Sequence, residues 1–96
     1  MAELTENNKI VVTVVGKDQK GIIAKVASKI AEMNGNILDI NQTIMQGHFT
    51  MIMMVDLAES DRKFVQFKDE LVALGEEMGM VITCMHQDLF QFMHRI

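Results

Sequence analysis

The spacing of apolar residues changes along the chain, and each change predicts the start of a new element. A β-branched run at Ile10–Val15, interrupted only by Thr13, predicts a first strand that is covered on both faces or lies in the middle of a sheet. After a polar segment, residues 16–21, apolar residues return every three or four positions. This spacing predicts a first helix, which we expect to end at Asn34-Gly35 with glycine in the left-handed conformation. Its apolar residues are Ile22, Ile23, Val26, Ala27, Ile30 and Met33.

From Asn36 onwards the period becomes two, which predicts a second strand. One side of it carries Leu38, Ile40, Gln42 and Ile44, and the other carries Ile37, Asp39, Asn41, Thr43 and Met45. After Gln46-Gly47 a second alternating run begins at Phe49, so the two runs predict a β-hairpin of antiparallel strands. The polar positions Asp39, Asn41 and Thr43 lie either on a solvated face or on a face that a dimer contact covers.

A second helix follows, and its apolar residues again step by three and four. They are Phe64, Phe67, Leu71, Leu74 and Met78. We expect Ser60 or Asp61 to cap its start and Gly79 to end it. Met80–Met85 is the predicted fourth strand, and residues 88–96 are either a short helical turn or an extended arm.

The predicted order is therefore strand, helix, strand, strand, helix, strand. This is the α+β, ferredoxin-like βαββαβ arrangement, a four-stranded antiparallel sheet with two helices on one face. With 96 residues the chain is one domain, 1–96, with a core at about 9–87 and a C-terminal arm at 88–96. We expect the apolar side chains of the arm to pack on a partner, most simply a second copy in a homodimer. They are Leu89, Phe90, Phe92, Met93 and Ile96.

Composition narrows the classes of function. The net charge is −4, with acidic and basic residues interleaved, so nucleic acid is not an expected partner. No apolar run reaches the ~18 residues of a membrane span, and no signal-peptide pattern is present, so we expect no membrane association. The lone cysteine, Cys84, fits the reducing cytoplasm.

Candidate catalytic and metal-binding groups are sparse. His48, His86 and His94 have no spacing typical of a metal site, and we expect neither a metal nor a cofactor. Cys84 and His86 lie on the same strand face, two residues apart, which does not by itself make a catalytic dyad. An acylphosphatase-like reaction on this fold would need an arginine in the first loop, which carries only lysines. We therefore expect no enzyme activity.

The segment from Gly16 to Ile23 is the most informative candidate site. A polar loop that leaves a central strand and opens a helix presents free backbone amides and the positive end of the helix dipole. The amides of Gly21, Ile22 and Ile23 are the expected donors to a carboxylate, and Asp18 is placed either to accept from an ammonium group or to cap the helix. The alternative is that Asp18 only closes a turn and the glycines only permit it.

These residues carry a family resemblance. The run Val12–Val15, the segment Gly16-Lys17-Asp18-Gln19-Lys20-Gly21-Ile22-Ile23-Ala24 and the later Gly35-Asn36-Ile37 resemble the signature of the ACT domain. The C-terminal segment is similar to that of small stand-alone bacterial ACT proteins of the glycine-cleavage-repressor-like group. The chain differs from the common family loop at Lys20, where a proline often precedes the glycine.

The resemblance implies a ligand site at a dimer interface, where the loop after the first strand of one protomer faces the start of the second strand of the other. The positions it implies are Gly16, Asp18, Gly21, Ile22, Asn36 and Ile37. We therefore expect a homodimeric regulatory domain that senses a small amino-acid ligand. The alternative is a ligand-free dimerisation or interaction module that regulates a partner enzyme or transcription factor.

Overall fold

The computed structural model describes residues 8–93 of the chain, and the side chains of residues 8–90. The elements are β1 Lys9–Lys17, α1 Ile22–Glu32, β2 Asn36–Met45, β3 His48–Asp56, α2 Phe64–Met78, β4 Val81–His86 and α3 Gln87–Met93. The predicted βαββαβ order is confirmed. The segment after β4 begins as a helix, and residues 94–96 of the predicted arm lie outside the described residues.

The four strands form one antiparallel sheet in the order β2-β3-β1-β4. β1 lies between β3 and β4, and its pairing with β3 runs from Lys9 opposite Asp56 to Lys17 opposite His48. β2 and β4 are the edges of the sheet. This is the ferredoxin-like topology that the sequence predicted.

The two long helices cover one face of this sheet and enclose the core. α1 buries Ile22, Val26 and Ile30, while α2 buries Phe67, Leu71 and Met78. The strands contribute alternate residues, chiefly Ile10, Val12, Val14, Met51, Met53, Val55, Ile82 and Cys84. Full burial of a large apolar side chain stabilises a fold by about 1.5–3 kcal/mol relative to its exposure. The predicted apolar stripes therefore hold the layers together, except at Ile23, which is exposed.

β2 departs from the predicted alternation at Leu38. Its pairing with β3 shifts by one residue between Ile37 and Asp39, which is a β-bulge. Ile37 consequently lies opposite Val55 and packs against the core on the same side as Ile40, although the sequence pattern placed these two on opposite sides. The prediction was wrong here because a bulge adds one extra residue to the strand, and the hydrophobic pattern does not indicate where this happens.

The end of α1 also differs from the prediction. Asn34, with φ 59°, takes the left-handed conformation that we assigned to Gly35. The N–H groups of Asn34 and Gly35 donate to the carbonyls of Ala31 and Ile30, both at 2.9 Å, which forms a Schellman motif. Gly35 is required for space instead, because a Cβ there would lie 2.8 Å from Ile30 Cγ2 and 3.1 Å from Val55 Cγ1.

Neither Ser60 nor Asp61 caps α2, contrary to the prediction. The helix begins three residues further on, with Lys63 at its N-cap, and the Lys63 N–H donates to Gln66 Oε1 at 3.0 Å. The Ser60 hydroxyl donates instead to the carbonyl of Met33, just beyond α1. Ser60 therefore ties the connection before α2 to the end of α1. The predicted stop of α2 at Gly79 is confirmed, with φ 73°.

The face of the sheet that points away from α1 and α2 is covered only in part. Val11 lies on this outer face, opposite Met54 and Met85, yet it is only 1% exposed. The short helix α3 contacts both β1 and β4, so it covers the Val11 end of the face. Val15, at the other end, is 43% exposed. Within residues 8–93, the half of the outer face around Val15 is therefore left open.

The structure describes part of the predicted apolar arm. Leu89 is exposed and Phe90 is half-buried, in a helix that packs on its own sheet. The side chains of Phe92, Met93 and Ile96 lie outside the described residues. A contact between this arm and a partner stays a prediction.

Candidate functional site

The loop after β1 is shorter than the predicted polar segment. β1 continues to Lys17, so Gly16 is a strand residue opposite Phe49 rather than the first residue of the loop. Gly16 nevertheless packs closely on β4's neighbour Met80, because a Cβ there would lie 2.6 Å from Met80 Sδ and would displace that side chain. The free loop consists of residues 18–21. Its first N–H, from Asp18, donates to the carbonyl of Gly47 at 2.8 Å.

Gly21 closes this loop and serves as the N-cap of α1. Its φ of 82° is left-handed, which favours glycine over residues with a Cβ. The carbonyl of Gly21 accepts the first helical hydrogen bond, from the Lys25 N–H at 3.0 Å. A conformation that only glycine adopts easily therefore directs the chain from the loop into the helix.

No side chain of residues 8–90 caps the N-terminal end of α1. The first N–H groups of a helix have no partner inside it, and here they belong to Ile22, Ile23 and Ala24. Asp18 does not cap this end, so that predicted role is wrong, and its predicted role as an acceptor from an ammonium group stays a prediction. Among residues 8–90 the Asp18 carboxylate makes no hydrogen bond or ion pair. The loop thus offers backbone donors and a carboxylate acceptor side by side.

A cleft of about 220 Å³ opens beside this loop. One wall is the loop and the first turn of α1, and the other comes from β2 and β3. The lining residues are Asp18, Gln19, Gly21, Ile22, Ile23, Ala24, Gln42, Ile44 and Phe49. The polar groups lie along the loop and at Gln42, while Ile22, Ile44 and Phe49 make an apolar floor. This volume and polarity fit a small molecule with charged ends and a short side chain.

Gln42, Ile44 and Phe49 were not predicted as site residues. They reach the cleft because Gln42 and Ile44 lie opposite Met51 and Phe49 on the helix-facing side of the β2–β3 hairpin. The sequence did contain a signal for one of them. Gln42 is a polar residue between Ile40 and Ile44, on the side of β2 where the alternation otherwise gives apolar residues.

Of the six predicted ligand positions, the structure brings three to the cleft: Asp18, Gly21 and Ile22. Gly16 lies behind the loop. Asn36 and Ile37 lie at the far end of the sheet, since Asn36 is opposite Asp56 whereas the loop adjoins the His48 end. At about 3.4 Å per residue the two ends are roughly 25–30 Å apart. One chain therefore does not bring Asn36 to this cleft.

Cys84 and His86 lie two residues apart on β4. Their side chains share the helix-facing side of β4, as predicted, but the His86 ring stacks on Phe64 with 4.3 Å between ring centroids. Burial raises the pKa of the Cys84 thiol to about 12, so it is protonated at neutral pH. Within the described part of the chain, no three metal-ligating side chains cluster and no helix is long and apolar enough to cross a bilayer.

Comparison with known proteins identifies relatives over almost the whole chain. A family model for the ACT domain matches residues 8–85. The chain is 46% identical over 89 residues to a UPF0237 protein of Methanocaldococcus jannaschii, which covers 93% of this chain and 99% of that protein.

Solved structures agree with these sequence matches. An ACT domain protein from Streptococcus pneumoniae is 37% identical, with a TM-score of 0.76 over 86% of this chain and 93% of that one. A putative glycine cleavage system transcriptional repressor is 23% identical, with a TM-score of 0.73 over 82% of this chain and 45% of that one, and it shares the fold. From the loop, the fold and these matches together, the chain belongs to the ACT-domain family, whose members are generally regulatory and ligand-binding.

Proposed function

We propose that this chain is a regulatory domain that binds a free amino acid in the cleft beside Asp18 and works as a homodimer. The observation that carries the proposal is the composition of the cleft. Within the described residues, it combines uncapped helix N–H groups, a carboxylate without a partner and an apolar floor around a volume of about 220 Å³. The proposal includes no catalytic role, because Cys84 is protonated and His86 is stacked on Phe64.

Each part of an amino acid has a counterpart in this cleft. The α-carboxylate docks on the N–H groups of Ile22 and Ile23, where the helix dipole favours negative charge. The α-ammonium group pairs with the Asp18 carboxylate. The ligand side chain then points towards Ile44 and Phe49, with the Gln42 amide at the rim. Lys20 stands where the loop that this one resembles often has proline, which leaves the loop less restricted and favours modest affinity.

The edge strand β2 is the surface that we assign to dimerisation. It is long and exposed, and an unpaired sheet edge of this length is normally covered or blunted. Aliphatic side chains are exposed along it and on the adjoining side of α1: Ile23, Leu38, Ile40, Ile44 and Met45. Antiparallel pairing of two β2 strands about a two-fold axis would bury these side chains and continue the sheet across the dimer.

The same pairing brings Asn36 back to the cleft. If the two-fold axis crosses β2 between Ile40 and Asn41, the partner's Asn36 lies opposite Met45, next to Ile44 in the cleft wall. Each cleft is then completed by the start of the partner's β2. This arrangement accounts for a family signature whose residues lie at opposite ends of the sheet within one chain.

A thermal-shift screen tests the proposal. Each of the twenty amino acids is added at millimolar concentration to the wild type, to Asp18→Ala and to Asn36→Ala. A ligand at 100 times its dissociation constant adds about 2.7 kcal/mol to the free energy of unfolding, which is readily measured. We expect at least one amino acid to raise the Tm of the wild type and to lose this effect in both variants. If no amino acid raises the Tm of the wild type, the sensing function is wrong.

One observation favours a second function, a ligand-free interaction module. The open half of the outer face exposes Val15, Ile52 and Val81, which α3 does not cover. A domain that only docks on a regulated enzyme or transcription factor would use such a surface and leave the cleft empty. A dimer that persists in solution while no amino acid changes its Tm would favour this alternative.

A further inference from the structure

The binding loop is held from a second direction by the side chain of Gln19. Gln19 Nε2 donates to the carbonyl of Met78 at 2.8 Å and lies 3.6 Å from Met80 Sδ. Met78 is the last residue of α2, and the final carbonyls of a helix have no partner within it. One side chain from the loop thus satisfies the end of a helix 59 residues further along the chain.

The residues that Gln19 contacts, at the end of α2 and at Met80, are themselves held in place. Met80 is 4% exposed, and its N–H donates to the carbonyl of Gly75 at 2.8 Å. Its sulfur lies close behind Gly16, where even a methyl group would collide with it. Gln19 therefore ties the loop to a packed part of the core rather than to a mobile segment.

We infer that Gln19 is the positioning residue of the ligand loop, which it holds in the binding conformation by tying it to the end of α2. The inference rests on the proposed function, since it names what keeps that site in order. Gln19 itself does not need to touch the ligand. It lies between Asp18 and Gly21, so its anchor fixes the two ends of the loop that bear the carboxylate and the first helix donors.

This arrangement has two consequences for binding. A loop that is already ordered loses less conformational entropy when a ligand binds, and affinity rises accordingly. The anchor also links the cleft to α2 and to the turn before β4, so occupancy of the cleft favours the arrangement of α2 in which the Met78 carbonyl is bonded.

Amide hydrogen exchange of the full chain without added ligand is the first test. Gln19→Glu is nearly isosteric, but its carboxylate does not donate to a carbonyl. Gln46→Glu adds the same charge in the neighbouring β2–β3 turn, where the Gln46 side chain makes no bond within the described residues. We expect Gln19→Glu to speed exchange of the Asp18 and Lys25 amides roughly fivefold to tenfold, the effect of one lost hydrogen bond. Gln46→Glu should leave both amides unchanged.

Binding is the second readout, measured by thermal shift with the same twenty amino acids. The amino acid that stabilises the wild type should bind Gln19→Glu roughly tenfold more weakly, while it binds Gln46→Glu as it binds the wild type. Unchanged exchange at Asp18 and Lys25, or unchanged affinity, would overturn the inference. If exchange rises in Gln19→Glu but no amino acid binds the wild type, the anchor is established and the proposed sensing function is the part that fails.

Discussion

The main-chain N–H of Asp18 lies 2.8 Å from the carbonyl oxygen of Gly47, and it fastens the loop after β1 to the turn between β2 and β3. Both walls of the cleft are thereby held at one end of the sheet. The turn is tight, with a left-handed φ of 82° at Gly47. The position of the cleft follows from this tie between two connections.

Gly75 determines how closely α2 approaches β4. A Cβ at this buried glycine would lie 2.9 Å from the Met80 carbonyl oxygen and 2.8 Å from Ile82 Cγ1. Gly75→Ala gains about 1 kcal/mol of helix propensity but overpacks the contact by about 1–3 kcal/mol. We expect a net loss of about 1 kcal/mol in the free energy of unfolding, measured by urea denaturation. Glu76→Ala, at the exposed neighbouring position, is the control and should not be destabilised in this way. A Gly75→Ala protein at least as stable as the wild type would contradict the close contact.

Glu70 connects the two helices through ion pairs. Its carboxylate accepts from Arg62 Nε at 2.8 Å and lies 3.2 Å from Lys29 Nζ. Hydrogen bonds from Arg62 and then Lys29 lower the pKa of Glu70 below its ordinary value of 4.5. Because the folded pKa is below the unfolded one, the contribution of Glu70 to stability is present above pH 4.5 and is lost as the pH falls through the folded pKa.

We therefore expect Glu70→Gln to have a lower Tm than the wild type at pH 7, with a difference that narrows as the pH falls below 4.5. Glu76→Gln is the matched control, because Glu76 makes no ion pair within the described residues. The measurement is Tm against pH for the three proteins. A difference between Glu70→Gln and the wild type that stays constant down to strongly acidic pH would contradict the assigned cause of the pKa shift.

The regular elements were predicted from the sequence because their periodicity reports which side of each is buried. Phe67 and Leu71, for example, are spaced four residues apart, which puts them on the same face of α2, and both are buried in the core. The pattern does not reveal a one-residue insertion such as the bulge at Leu38. It also does not reveal which of two adjacent residues, Asn34 or Gly35, takes the left-handed conformation at the end of α1.

The candidate site was predicted only where it is local. Asp18, Gly21 and Ile22 are neighbours in the chain, so the loop signature located them. Gln42 and Phe49 reach the cleft through strand pairing, and Gln19 meets Met78 across 59 residues. Contacts of this kind depend on how the elements pack, and a single sequence does not specify them.

The proposed dimer can be distinguished from a dimer that forms through the outer face. Ile40 on β2 and Ile52 on β3 are each 40% exposed, and they lie on different surfaces. A lysine buried at an interface without a partner is costly. We expect Ile40→Lys to weaken dimerisation at least tenfold in sedimentation equilibrium and Ile52→Lys to leave it unchanged. The reverse pattern would assign the dimer to the open sheet face.

In the proposed dimer, each ligand site combines the loop of one chain with the start of β2 from the other. Subunit mixing tests this shared site most directly. The amino acid that gives the largest thermal shift is titrated calorimetrically into Asp18→Ala and into Asn36→Ala. The two variants are then mixed, allowed to exchange subunits and titrated again. Each variant alone should bind weakly, whereas the mixture should recover wild-type affinity at about a quarter of its sites, because half of the dimers are mixed and each of those holds one intact site. Recovery at about that level supports a shared site. No recovery, in variants that still dimerise, would contradict it.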